Sequence, residues 1–165
     1  MESVDTLFKK HSNELFSYLC RYTFNSAEAE DILSDVFVKL MEHIEKNNSE
    51  LFLWRPWLYR VATNCAVSHL RKRKIRSFFL MENKNTFEAG VTPGVSLEND
   101  QEGGWAKKAI DQLDHKYRSV LIMQVYQELS YQEIADALNI NIGTVRSRLN
   151  EAKKKMKKIL GETYE

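Results

Sequence analysis

The feature that most constrains this chain is a helical beat that runs through almost all of it. Leu7, Phe8, His11, Leu15, Tyr18, Leu19 and Tyr22 recur at intervals of three and four, the spacing that lines up side chains on one face of an α-helix. Ala29, Ile32, Leu33, Val36, Phe37, Leu40 and Ile44 repeat it after a break at Phe24-Asn25-Ser26, where Ser26 is placed to cap the second helix. A third run starts near Trp54 and passes through Leu58, Val61, Ala62, Cys65, His69 and Leu70, with Pro56 in its first turn, where a missing N–H costs nothing. No stretch alternates long enough to make a strand. Six Gly and two Pro in 165 residues leave few places where such helices would be interrupted.

One long interruption exists. Residues 78–104 hold Gly90, Pro93, Gly94 and the pair Gly103-Gly104 in an acidic setting, which reads as a flexible linker. Periodicity resumes at Trp105, Ala109, Ile110 and Leu113, then at Tyr117, Val120, Leu121, Val125 and Leu129. The expected fold class is therefore all-α: two small helical modules, residues 1–77 and 105–165, joined by residues 78–104.

The net charge of +1 hides a division: +2 over residues 1–77, −4 over 78–104 and +3 over 105–165. The basic groups concentrate in Arg71-Lys72-Arg73-Lys74-Ile75-Arg76 and in residues 146–158, where seven bases face only Glu151. Two basic clusters flanking an acidic tether suit two modules on one polyanion. No apolar run approaches a membrane span. The start, Met1-Glu2-Ser3-Val4-Asp5, lacks the basic and apolar regions of a signal peptide, so a cytoplasmic protein is expected, with Cys20 and Cys65 as reduced core thiols.

The sharpest local pattern is in residues 130–150. Ser130-Tyr131-Gln132-Glu133 has the form of a capping box. It opens a short helix with Ile134, Ala135 and Leu138 inward. Asn139 suits the left-handed turn that ends it, Ile140 plugs the turn, and Asn141 caps a second helix built on Val145 and Leu149. Two short capped helices with a three-residue turn form a helix-turn-helix. Thr144, Arg146, Ser147, Asn150, Lys153 and Lys154 are left outward on the second helix, as DNA recognition requires.

Leu129-Ser130-Tyr131-Gln132-Glu133-Ile134-Ala135 and Ile142-Gly143-Thr144-Val145-Arg146-Ser147-Arg148-Leu149 resemble the minus-35-reading region of bacterial RNA polymerase sigma factors of the extracytoplasmic-function group. Residues 29–40, with Ala29-Glu30-Asp31-Ile32-Leu33-Ser34-Asp35, resemble that group's polymerase-binding helix. Trp57-Leu58-Tyr59-Arg60-Val61-Ala62-Thr63-Asn64 followed by Leu70-Arg71-Lys72-Arg73 resembles its minus-10-reading helix.

The resemblance implies a promoter-specific initiation factor with no catalysis, cofactor, metal or small-molecule substrate of its own. It implies core polymerase (β′ clamp helices and β flap), promoter DNA and an anti-sigma factor as partners. Asp31, Ser34, Asp35, Val38 and Glu42 would dock on polymerase. Lys39, Tyr59, Asn64, Arg71, Lys72, Arg73 and Arg76 would serve the minus-10 element, with residues 46–53 as the loop that holds a flipped-out base. Ser34 stands where the group often has Gln, and Ser68 where it commonly has Asp. Asn150 and Glu151 also depart from its usual residues, which implies a promoter preference of this chain's own.

The competing reading is a free-standing helix-turn-helix repressor or activator that binds duplex DNA as a symmetric dimer. Two unlike basic modules and an acidic helix face argue against it. An enzyme finds no support: His11, His43, His69 and His115 are scattered, without acid or Cys partners at useful spacing, and there is no phosphate-cradling Gly loop.

Overall fold

A computed structural model describes residues 2–47, 53–82 and 101–164. Among these, every regular element is an α-helix: α1 (Val4–Thr23), α2 (Ser26–Asn47), α3 (Trp54–Glu82), α4 (Gln101–Asp111), α5 (His115–Val125), α6 (Tyr131–Leu138) and α7 (Ile142–Tyr164). The all-α expectation therefore stands. Most of the expected linker lies outside the described residues. Its edges do not: α3 continues to Glu82, and α4 runs through Gly103-Gly104, expected as breakers. Each Gly costs a helix about 1 kcal/mol, but this pair sits in the first turn, and burial of Ala109, Ile110 and Leu113 further along holds the helix in place.

In the first module α1, α2 and α3 all pack on one another. Ser3 caps α1 by accepting from the Thr6 N–H (3.2 Å), and Phe24 ends it in the left-handed conformation at φ 56°. Asn25, not Ser26, caps α2: its Oδ1 accepts from the Glu28 N–H at 3.1 Å. Leu7, Leu15, Leu19, Ile32, Val36, Leu40, Leu58, Ala62 and Ala66 fill the core, with Leu33 and Ile44 half-buried at its edge. Tyr18 is fully buried, yet its hydroxyl donates to Thr63 Oγ1 (2.7 Å), which donates in turn to the Tyr59 carbonyl (2.7 Å). That chain satisfies each buried polar atom.

In the second module α5 packs on α7 and α6, and α4 on α7. Val120, Ile122, Met123, Ile134, Val145, Leu149 and Ala152 are buried. Val125, expected inward, is 49 % exposed and instead lines a groove with Tyr126.

The modules do not stand apart. α6 lies along the first half of α3, and α5 meets α1. Arg118 is 5 % exposed and donates across the junction to the Tyr22 carbonyl (3.3 Å), while also holding the Asp111 carbonyl (2.6 Å) at the end of α4. Tyr22 stacks on His115, their planes 6° apart, and its hydroxyl shares a 2.8 Å hydrogen bond with Nδ1. Burial, then the charges of Arg118, Arg71 and Lys74, lower the His115 pKa, against an opposing pull from Asp114. A lowered histidine pKa gives stability that is present above the unfolded value of about 6.5 and is lost as pH falls through the folded value. The melting temperature is therefore expected to fall between neutral pH and pH of about 5, and His115→Gln is expected to flatten that slope. Parallel slopes in thermal melts across this window would remove His115 as the cause.

Candidate nucleic-acid interface

The helix-turn-helix forms where its caps put it. Ser130 Oγ accepts from the Glu133 N–H (3.1 Å), Asn139 takes φ 55°, and Asn141 Oδ1 accepts from the N–H and hydroxyl of Thr144 at 2.7 and 2.9 Å. Ile140 packs on the core from the turn. One half of the capping box is diverted. The Glu133 carboxylate does not return to the Ser130 N–H; it accepts from the Ser130 hydroxyl (3.3 Å) and pairs with Arg55 of the other module.

On α7, Arg146, Ser147, Asn150, Lys153 and Lys154 are all exposed. Thr144 is half-buried, its hydroxyl engaged by Asn141. The lysines divide by face, as a helix requires: Lys155 lies over the Tyr117 ring at 5.4 Å, while Lys157 and, one turn before it, the predicted Lys153 border an apolar groove with Ile110, Leu121, Val125 and Met156.

On α2, Asp31, Ser34, Asp35, Val38 and Glu42 form one exposed ridge opposite the buried Ile32, Val36 and Leu40. The three carboxylates make no ion pair among the described residues. Lys39 is exposed beside Cys65. Burial raises the thiol pKa of Cys65, with Lys39 pulling it down and Asp35 pushing it up. Cys20 is likewise half-buried and raised by burial; both cysteines are free.

On α3, Asn64, Arg71, Lys72 and Arg76 are exposed, as a minus-10 surface needs. Two residues expected with them are otherwise engaged. Tyr59 is fully buried, its hydroxyl donating to Glu14 Oε2 (2.9 Å) and accepting from Gln127 Nε2 (3.0 Å), so it walls no nucleotide pocket in this arrangement. Arg73 donates to Glu28 Oε2 at 2.7 Å, an ion pair between α3 and α2 that competes with any phosphate. Trp57 packs on the core edge with Trp54 and His43. The expected base-holding loop lies mostly outside the described residues.

Sequence reasoning missed the residues that hold the modules together. Glu14 receives His11 Nδ1 (2.8 Å), Tyr59 and Arg55 Nε (3.1 Å). Burial alone would raise its pKa, but these three partners outweigh burial and hold the carboxyl below its usual value. Arg55 carries on to Glu133, and Gln127 donates to both the Glu14 carbonyl (2.9 Å) and Tyr59 while accepting from Arg21 (3.2 Å). Arg60 donates to the Asp136 and Ala137 carbonyls, which the last turn of α6 leaves without helical partners. The histidines are thus not partnerless: His11 has Glu14, and His69 has Glu28 at 3.7 Å. The His11–Glu14 spacing of three on one helix was visible in the chain and belongs to this network.

Comparison with known proteins places the chain in a family. Residues 7–75 match the family described as Sigma-70 region 2, and residues 104–156 match Sigma-70, region 4, together more than half of the chain. The chain belongs to the sigma-70 family. Within it, this sigma factor falls in the extracytoplasmic-function group. It is 26% identical over 164 residues to the ECF RNA polymerase sigma factor SigE of Mycolicibacterium smegmatis, covering 98% of this chain and 63% of SigE. It is 28% identical over 167 residues to the RNA polymerase sigma factor YlaC of Bacillus subtilis, covering 99% of this chain and 95% of YlaC. In fold it is similar to the sigma factor RpoE of Bartonella quintana, solved in complex with the anti-sigma factor NepR, at a TM-score of 0.69 with 20% identity, over 95% of this chain and 96% of that one.

Proposed function

We propose that this sigma factor binds core RNA polymerase through the α2 ridge and selects promoters with two surfaces, one on each module. Residues 1–77 serve polymerase and the minus-10 element, residues 105–165 serve the minus-35 element, and residues 78–104 tether them. The observation that carries this reading is the ridge itself. Asp31, Asp35 and Glu42 stand exposed and unpaired among the described residues on a helix whose other face is buried. A repressor that works alone has no use for such a surface; carboxylates awaiting guanidinium partners suit docking on another protein.

Asn64 is the base-reading residue of α3, with Lys39, Arg71, Lys72 and Arg76 on phosphates. Arg146, Ser147 and Asn150 face base edges from α7, with Lys153 and Lys154 on the backbone and Thr144 positioning them. The groove between α4, α5 and α7 is the seat for the β flap, since Val125 and Tyr126 are exposed there beside apolar walls. The factor brings no catalytic chemistry; polymerase performs the synthesis in the cytoplasm. Among the described residues no helix is long and apolar enough to cross a membrane. An anti-sigma protein is the remaining partner.

The closed arrangement then has a consequence. Two elements well separated along DNA cannot be read while α6 is clamped to α3, so engagement requires Arg55 and Arg60 to release α6.

The test is capture of core polymerase followed by run-off transcription. Asp35→Arg is expected to weaken capture with the helical circular dichroism unchanged. Arg146→Ala is expected to lose about 1–3 kcal/mol at the upstream element alone. Tight binding of the isolated chain to a palindromic duplex, with no capture of polymerase, would favour the repressor instead.

A further inference from the structure

The last turns of α3 leave a feature that promoter reading has not used. Ile75, Phe78, Phe79, Leu80 and Met81 are 55, 62, 60, 51 and 80 % exposed, an apolar run at the end of a helix that is otherwise basic outside and packed inside. A core would have buried such residues, and the second module, which meets α3 around Arg55, Tyr59 and Arg60, leaves them uncovered. The two rings sit edge to face, centroids 6.2 Å apart and planes 77° apart.

Their helical position matters. Asn64, Ser68, Arg71, Ile75 and Phe78 follow one another at steps of three and four, so one exposed line runs from the base-reading Asn64 to the rings. The line is about 21 Å long at 1.5 Å per residue. Lys72, Lys74 and Arg76 flank it, and like Arg71 on the line they make no ion pair among the described residues; Arg73, on the inner side, is neutralised by Glu28.

We propose that Phe78 and Phe79, with these cations around them, form a stacking platform for unpaired bases of a single DNA strand. The proposal extends the reading of α3 as a promoter-facing helix and rests on it. Exposed aromatics beside a cationic track are what a sequence-tolerant single-strand site requires, because every base has a face to stack while the cations follow the phosphates. A duplex gains nothing from the rings, since its bases are already stacked. The site would hold the strand freed when the promoter opens next to the stretch that Asn64 reads.

Fluorescence anisotropy of the full chain with a labelled mixed-sequence oligonucleotide, single-stranded or as its duplex, tests this. The single strand is expected to bind more tightly, with strong salt dependence. The double variant Phe78→Ala/Phe79→Ala is expected to weaken single-strand binding at least about five-fold, the low end for losing one stacked base, and to leave duplex binding unchanged. Phe78→Trp/Phe79→Trp is expected to retain affinity, and Phe78→Leu/Phe79→Leu to lose it. Full affinity in the Leu pair would overturn stacking in favour of plain apolar docking. Equal strand affinity in the Ala pair would overturn the site, whether the lost function then showed as weaker capture of core polymerase or as weaker binding to phosphatidylserine vesicles. Asn64→Ala keeps the two readings apart: in reconstituted polymerase it is expected to lose minus-10 base preference, while replacing Phe78 and Phe79 in that background still lowers the strand affinity of the free chain. Unchanged base preference with ring-dependent strand binding would sink the role of Asn64 and spare the platform.

Discussion

Arg55 is one guanidinium shared between two modules, and the rest of the arrangement follows from it. On one side it meets Glu14 of α1; on the other it meets Glu133 in the first turn of α6. Burial alone would lower the pKa of Arg55, yet the two carboxylates raise it, so the charge is secure in place. Arg60, about 1.4 helical turns further along α3, holds the opposite end of α6 by its free carbonyls. A helix of only eight residues is thereby gripped at both ends by one neighbour. Such contacts are polar, partly exposed and satisfied equally well by water or by other partners. Each of these Arg55 and Arg60 contacts is worth little net free energy, whereas the buried contacts of Arg118 and Tyr59 hold the junction more firmly.

The grip and the promoter surfaces are physically linked. The recognition helix α7 follows α6 through a three-residue turn fixed by Asn139 and Asn141, so wherever α6 is held, α7 is held too. Arg60 is one turn from Asn64 on α3, which brings the clamp to the edge of the line proposed to read the minus-10 element. The α2 ridge stands outside this competition, on a helix that α6 does not touch through any of these bonds. Docking on polymerase can therefore come before the modules part, and binding to two separated DNA elements supplies the differential affinity that shifts the closed form towards an open one.

What the chain disclosed in advance was whatever is local. The helix-turn-helix was legible because each of its signals acts within four residues: Ser130 on Glu133, Asn139 on its own φ, Asn141 on Thr144. The acidic ridge was legible from helical spacing alone. The junction was not, because Arg55, Arg60, Gln127 and Arg118 are ordinary polar residues until a partner far along the chain meets them. Arg118 lies within an apolar run and is buried with it, held by carbonyls that no pattern announces. Tyr59 was misplaced because its motif drew it outward, although its spacing with Ala62, Ala66 and Leu70 marks it as a core residue. Asn25 took the capping role expected of Ser26, a shift of one residue between two good caps.

The central claim is that the two modules are joined in the free factor and part when it engages polymerase and promoter. Electron–electron resonance between spin labels on Lys9 of α1 and Lys154 of α7, both exposed, measures this directly in a background with Cys20 and Cys65 replaced. A single short distance distribution is expected for the free chain, replaced by a longer one in the complex with core polymerase and promoter DNA. The same short distribution in both states would contradict it.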